Sequence, residues 1–187
     1  MTIFFTSDQH WGHHNIIDYC HRPFDSVKEM DEAMAENWKD TVRGRDTIYL
    51  LGDVAMSDGY QKLVKSLPGT KYLIFGNHDK KLRKTWKDWG FLWAKDVHYL
   101  RVDGGMKKGG DEVWLSHYAH LSWNKKFHGS LHAFGHSHGG LKNPSNLSCD
   151  VGVDSWNFTP VSLEGFKEYL KSDIQEFKEE KERYTRN

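Results

Sequence analysis

Cysteine is nearly absent from this chain: Cys20 and Cys149 are the two present, far apart and outside any CxxC pattern. That argues against a disulfide framework and fits a reducing compartment. Neither sign of charge is in excess, since Lys+Arg and Asp+Glu number 26 each. No global field would therefore draw the protein to nucleic acid or to an anionic membrane, although a local basic patch is compatible with that balance. Long hydrophobic runs are missing as well; nothing approaches the ~20 apolar residues of a spanning helix. The opening Met1–Asp8 carries no basic n-region, which speaks against a secretory signal. Together these absences lead to the expectation of a cytoplasmic protein without a membrane partner.

What is present is 12 His, 8 Trp and 17 Gly in 187 residues, with 37% hydrophobic and 28% charged residues. Length and composition suit one globular domain able to bury its own core.

Short apolar runs recur, each ended by a polar cluster. Ile3–Thr6 precedes Asp8-Gln9-His10, Ile48–Leu51 precedes Gly52-Asp53, and Tyr72–Phe75 precedes Gly76-Asn77-His78-Asp79. Val113–Leu115 precedes Ser116-His117, and His132–Phe134 precedes Gly135-His136-Ser137-His138. Such runs read as buried strands, and Val97–Asp103 and Leu147–Val153 as further ones. Ser26 followed by Glu29 forms a capping box that opens a helix over Val27–Val42. Helices are also expected over Tyr60–Ser66, Lys80–Trp89 and Leu163–Phe177. Strands alternating with helices indicate an α/β fold. Residues 1–172 read as a single domain and 173–187 as a charged, frayed helix end.

Every polar cluster follows a strand, and in open α/β sheets the carboxyl ends of strands are where ligands bind. Asp8, His10, Asp53, Asn77, His78, His117, His136 and His138 could therefore meet at one rim. Imidazole suits transition metals, while carboxylate and amide oxygens suit harder cations. These groups are too many for one ion, whereas two ions sharing Asp53 fit the count. Metals about 3.5–4 Å apart clamp a phosphoryl group and activate a water between them. His136 and His138 would point to opposite faces of a strand, so both must lie on a turn. Trp11, Trp123 and Trp156 are candidates to line the cleft, and Lys80, Lys81, Arg83, Lys84 and Lys87 form a basic helix face beside it.

The ordered set Asp8-Gln9-His10, Gly52-Asp53, Gly76-Asn77-His78-Asp79, Ser116-His117 and Gly135-His136-Ser137-His138 resembles the calcineurin-like metallophosphoesterase family. The flanks Trp11–Ile17, Tyr19–Phe24 and Val151–Trp156 are similar to a compact bacterial and phage branch of it. The resemblance implies two mixed β-sheets packed face to face and flanked by helices. It also implies one metal on Asp8, His10, Asp53 and His138, and a second on Asp53, Asn77, His117 and His136. His78 would act on the phosphate or leaving oxygen, with Asp79 orienting it; His13, Asn15 and Arg22 are expected to contact substrate.

The implied activity is hydrolysis of phosphate esters, diesters foremost, by a hydroxide bridging two ions drawn from Mn, Fe, Zn or Ni, with manganese the first choice. The partner would be a small phosphorylated substrate. The alternatives are a nuclease acting on DNA or RNA, a phosphomonoesterase or nucleotide phosphatase, and a non-catalytic metal-binding scaffold.

Overall fold

The computed structural model describes residues 1–141 and 146–185. One mixed sheet is built from β1 (Ile3–Thr6), β2 (Thr47–Leu50), β3 (Thr70–Ile74), β4 (Phe91–Lys95) and β9 (Val161–Ser162), in the order β4-β3-β2-β1-β9. Its first four strands are parallel and β9 is antiparallel to β1. The second sheet contains β5 (Val97–Arg101), β6 (Glu112–Ser116), β7 (Leu131–Phe134) and β8 (Ser148–Asp150) in sequence order. There β6, β7 and β8 are parallel and β5 is antiparallel to β6. The helices are α1 (Asn15–Tyr19), α2 (Val27–Thr41), α3 (Gln61–Ser66), α4 (Leu82–Thr85), α5 (Leu163–Tyr169) and α6 (Lys171–Thr185).

Strand alternation explains how the layers hold together, because successive side chains face opposite sides of a sheet. Phe4, Ile48, Leu50 and Leu73 are buried with Met30, Met34 and Trp38 of α2 and Val64 of α3. Their strand neighbours Phe5, Tyr49, Leu51 and Ile74 are buried with Leu100, Val113, Leu115 and Ala133 of the second sheet. Each fully buried side chain of this size contributes about 1.5–3 kcal/mol relative to exposure. The protein is thus an α/β sandwich of two mixed sheets flanked by helices.

The expected strands are all present, mostly shifted by a residue or two, while β4, β9 and α1 went unread. Ser26 caps α2 as expected, its Oγ accepting from Glu29 N at 3.2 Å. Glu29 reaches back to Asp25 N at 2.9 Å rather than to the cap residue's own N–H. The helix expected over Lys80–Trp89 is confined to Leu82–Thr85. Beyond it the N–H groups of Asp88, Trp89 and Gly90 reach only three residues back, a tightening that brings Trp89 into the core. The last helix breaks at Leu170, where the chain turns to bury that side chain, and then runs on to Thr185. The charged segment from Glu176 is therefore helical through Thr185, and residues 186–187 lie outside the described ones. Among the described residues no helix is long and apolar enough to cross a membrane.

Candidate metal centre

The parallel strands β1, β2 and β3 end side by side, as do β6 and β7, and the loops after all five converge. Asp8 and His10 follow β1, Asp53 follows β2, and Asn77 and His78 follow β3. His117 follows β6, and His136 and His138 follow β7. The loops are stitched together by main-chain bonds, including Asp8 N to Gly52 O and Gly135 N to His117 O.

The rim sits on a strained backbone. Asp8 (φ 60°), His10 (51°), Asp53 (53°), His136 (69°) and His138 (47°) are all left-handed. Non-glycine residues pay roughly 1–3 kcal/mol each for such a conformation, which persists only where surrounding bonds over-determine it. The turn required for His136 and His138 is therefore present. Glycines make the approach possible: a Cβ on Gly52 would lie 2.6 Å from His117 Nδ1, and one on Gly76 would collide with the Asp53 carboxylate.

Asp53 stands at the middle. Its Oδ1 accepts from His78 N at 2.8 Å. Its Oδ2 lies 3.5 Å from His117 Nε2, 3.6 Å from His10 Nε2 and 4.0 Å from His78 Nε2. Asp8 Oδ2 accepts from His136 N at 2.8 Å, which leaves Oδ1 turned toward His10. Asn77 Oδ1 is 2.9 Å from His117 Nε2. Two sets of donor atoms lie within 4.8 Å of one another, Asp8-His10-His138 and Asp53-His117-His136.

This donor set fits metal ions. Asp8 Oδ1 and both ring nitrogens of His10 are buried without a hydrogen-bond partner among the described residues. Such groups cost free energy unless something satisfies them. Burial pushes the Asp8 carboxyl up to about 7. It also drives His10 down to about 2, helped by the neighbouring positive groups of His138, Arg22, His78 and His13. His136 is lowered too, first by burial and then by His117. Neutral imidazoles and a carboxylate short of positive charge are what a cation would bind.

Outer partners set the tautomers. His117 Nδ1 lies 2.7 Å from Leu51 O, which can only accept, so with a cation at Nε2 the ring proton would sit on Nδ1. His138 Nδ1 lies 2.7 Å from Asp154 Oδ2, which aims its Nε2 the same way. Burial alone would lower the His138 pKa, but the Asp154 bond and Asp8 raise it.

Several expected roles are corrected. Arg22 was expected at substrate, yet its side chain is fully buried and saturated. It binds Asp154 through two nitrogens and donates to Asp8 O at 2.8 Å and Gln9 O at 3.0 Å. Asp79 does not orient His78. Its carboxylate accepts from the N–H groups of Asp53, Val54 and Gly76, so it joins the two loops instead. His13 lies beside the cluster, its ring 5.6 Å from that of His10. Asn15 opens α1 as an exposed residue, and among the described residues no hydrogen bond or ring contact joins it to the cluster. Trp11 and Trp123 are core residues rather than cleft walls.

Asp154 and Asp150 were not among the residues expected at the site. Asp150 accepts from Ser137 Oγ, Gly139 N and Gly152 N, holding the loop that carries His136 and His138. Asp154 lies within the stretch Val151–Trp156 that resembles the family, and Asp150 directly precedes it. A third possible ligand grouping, Cys20-His138-Asp154, is otherwise engaged. Both Asp154 oxygens are taken by Arg22 and His138, and burial pushes the Cys20 thiol up to about 11.

The chain is 34% identical over 172 residues to the uncharacterized protein MJ1445 of Methanocaldococcus jannaschii, covering 87% of each. It belongs to the same family as that archaeal protein. It is also 28% identical over 179 residues to the Gene 66 protein of Mycobacterium phage L5, covering 81% of this chain and 86% of that one. Relatives thus occur in an archaeon and in a phage. The chain matches no protein-family model. Among solved structures, protein AQ665 of Aquifex aeolicus, of unknown function, shares the fold with a TM-score of 0.71. The identity is 23%, over 90% of this chain and 98% of that one. A novel archaeal phosphodiesterase is more distant, with a TM-score of 0.47 at 17% identity over 81% of this chain and 82% of that one.

Proposed function

We propose that this protein is a metal-dependent phosphoesterase of the calcineurin-like metallophosphoesterase superfamily, acting on small phosphate esters, diesters foremost. One observation carries the reading. A single carboxylate oxygen of Asp53 faces imidazole nitrogens of His10, His117 and His78, contributed by three separate loops, on a rim with unpartnered buried donors.

Asp8, His10, Asp53 and His138 would hold one divalent ion, and Asp53, Asn77, His117 and His136 a second. When bound, such a pair supplies Lewis acidity and a low-pKa water. The chain's own groups do the rest. Asp53 spans the two halves with one carboxylate. Leu51 O and Asp154 hold Nδ1 of His117 and His138, which aims the opposite nitrogen of each ring inward. His78 is 45% exposed and belongs to neither ligand set, so its Nε2 can meet a substrate oxygen arriving from solvent. In hydrolysis the water oxygen forms the new P–O bond, the ester P–O bond breaks, and the leaving oxygen takes a proton. His78, as general acid, would give it.

Purified protein stripped of metal and reloaded with Mn should hydrolyse bis(4-nitrophenyl) phosphate, and Asp53→Asn should not. No turnover of any aryl phosphate ester with Mn, Fe, Zn or Ni would overturn the assignment. Faster turnover of polynucleotides than of short esters, with steep salt dependence, would move it to a nuclease.

A further inference from the structure

A cleft of about 400 Å³ opens against the Asp53-His117-His136 half of the rim, with Asn77 and His117 in its wall. Further along it lie Phe75, Lys80 and Tyr118. That volume falls within the range of small-ligand sites, about 300–1,000 Å³. Tyr118 is the unusual element, a large aromatic side chain left 49% exposed. It is nevertheless held in place. Its ring meets His136 edge-on at 4.7 Å and His117 at 5.0 Å between centroids, and its carbonyl accepts from Ser116 Oγ at 2.6 Å. Phe75 is covered on one face by the Arg83 guanidinium, 4.3 Å from the ring centroid. Arg83 is itself paired with Asp96, so its charge is already used.

An exposed ring fixed beside candidate ligands offers a flat face to whatever group hangs from a phosphate bound there. On the other side of the same loop, the hollow lined by Met56, Asp58, His78 and Lys81 is only about 190 Å³. It suits a ring-bearing substituent less well.

We propose that the Tyr118 cleft is a subsite for a planar ring carried by the ester. The protein would then select phosphate esters of the aryl or nucleoside class over those of simple alkyl alcohols. This rests on the phosphoesterase reading, because the phosphate must sit on the Asn77–His117 rim for its substituent to reach the cleft. Offset or edge-on ring contacts, together with the apolar area they bury, are enough for roughly a tenfold preference.

The test is calorimetric titration of the Mn-loaded protein with phenylphosphonate and methylphosphonate, two non-hydrolysable probes differing in the ring alone. The wild type is expected to bind the phenyl compound about tenfold more tightly. Tyr118→Ala should bring the ratio to near one, and Tyr118→Phe should keep it. Because the ratio is internal to each variant, a general loss of folded protein cancels. Equal binding of the two probes by the wild type, or a ratio that survives Tyr118→Ala, would overturn the subsite. Hydrolysis of bis(4-nitrophenyl) phosphate, measured in parallel, separates the two claims. Turnover without a ring preference removes only the subsite, whereas a ring preference without turnover keeps the subsite and removes the phosphoesterase reading.

Discussion

Arg22 and Asp154, 132 residues apart in sequence, are joined by two parallel bonds of 2.8 Å, from Arg22 Nε to Oδ1 and from its Nη2 to Oδ2. The same guanidinium donates to the carbonyls of Asp8 and Gln9, so one side chain ties the β1 loop to the partner of His138. Removing one member of a buried pair leaves the other uncompensated, at about 3–5 kcal/mol. Arg22→Ala should therefore lower the urea midpoint by that equivalent. Arg22→Lys should rescue little, because an ammonium cannot form the planar fork. A midpoint within error of wild type would show the pair to be dispensable.

Asp154→Asn tests the next link. The amide could keep part of the Arg22 contact but would not hold the His138 imidazole as a carboxylate does. Losing such an outer partner commonly costs 10–100-fold in metal affinity. Competition titration against a Mn-binding dye should show that loss with the fold intact by circular dichroism. Wild-type affinity would assign Asp154 to structure alone.

His78 should separate binding from chemistry. It lies on neither ligand set, so His78→Ala is expected to retain the wild-type metal content. A positioned general acid contributes about 10²–10⁴-fold, and the loss should fall on kcat more than on KM. Lost metal in this variant would instead make His78 a ligand.

His132 sets a pH dependence remote from the rim. Its Nδ1 faces Trp114 O at 3.0 Å, and its Nε2 accepts from His120 N at 3.0 Å. Burial holds this imidazole neutral, lowering its pKa to about 4. Between the unfolded value near 6.5 and that folded value, the unfolded chain binds the extra proton. Stability from this group is therefore complete above pH ~6.5 and is lost as pH falls through 4, for a total of about 3 kcal/mol. In chelator, His132→Gln should flatten the decline of unfolding free energy over that window relative to wild type. Parallel curves would refute the assignment.

Much of this protein was legible residue by residue. Buried parallel strands such as Ile3–Thr6 announce themselves as short apolar runs because both faces are covered. The polar residues just beyond them are conspicuous for the same reason. Harder to read were β9, with two residues and an antiparallel partner, and β4, whose mixed burial gives no clean period. The helix after Asp79 was overestimated because local propensity favours it, while packing of Trp89 ended it early.

Arg22 shows where such reading stops. A guanidinium suits a phosphate as well as a buried carboxylate, so residue type alone could not choose between solvent and core. The order of metal-binding residue types along the chain, and their attachment to strand ends, follow from sequence because both depend on local chemistry and periodicity. Which carboxylate steadies which imidazole, which aromatic stays exposed at the cleft and which cation is consumed in the core were decided only by tertiary structure. The last of these depends on a contact between residues 132 positions apart, and the other two on side chains brought together from separate loops, so no local pattern encodes them.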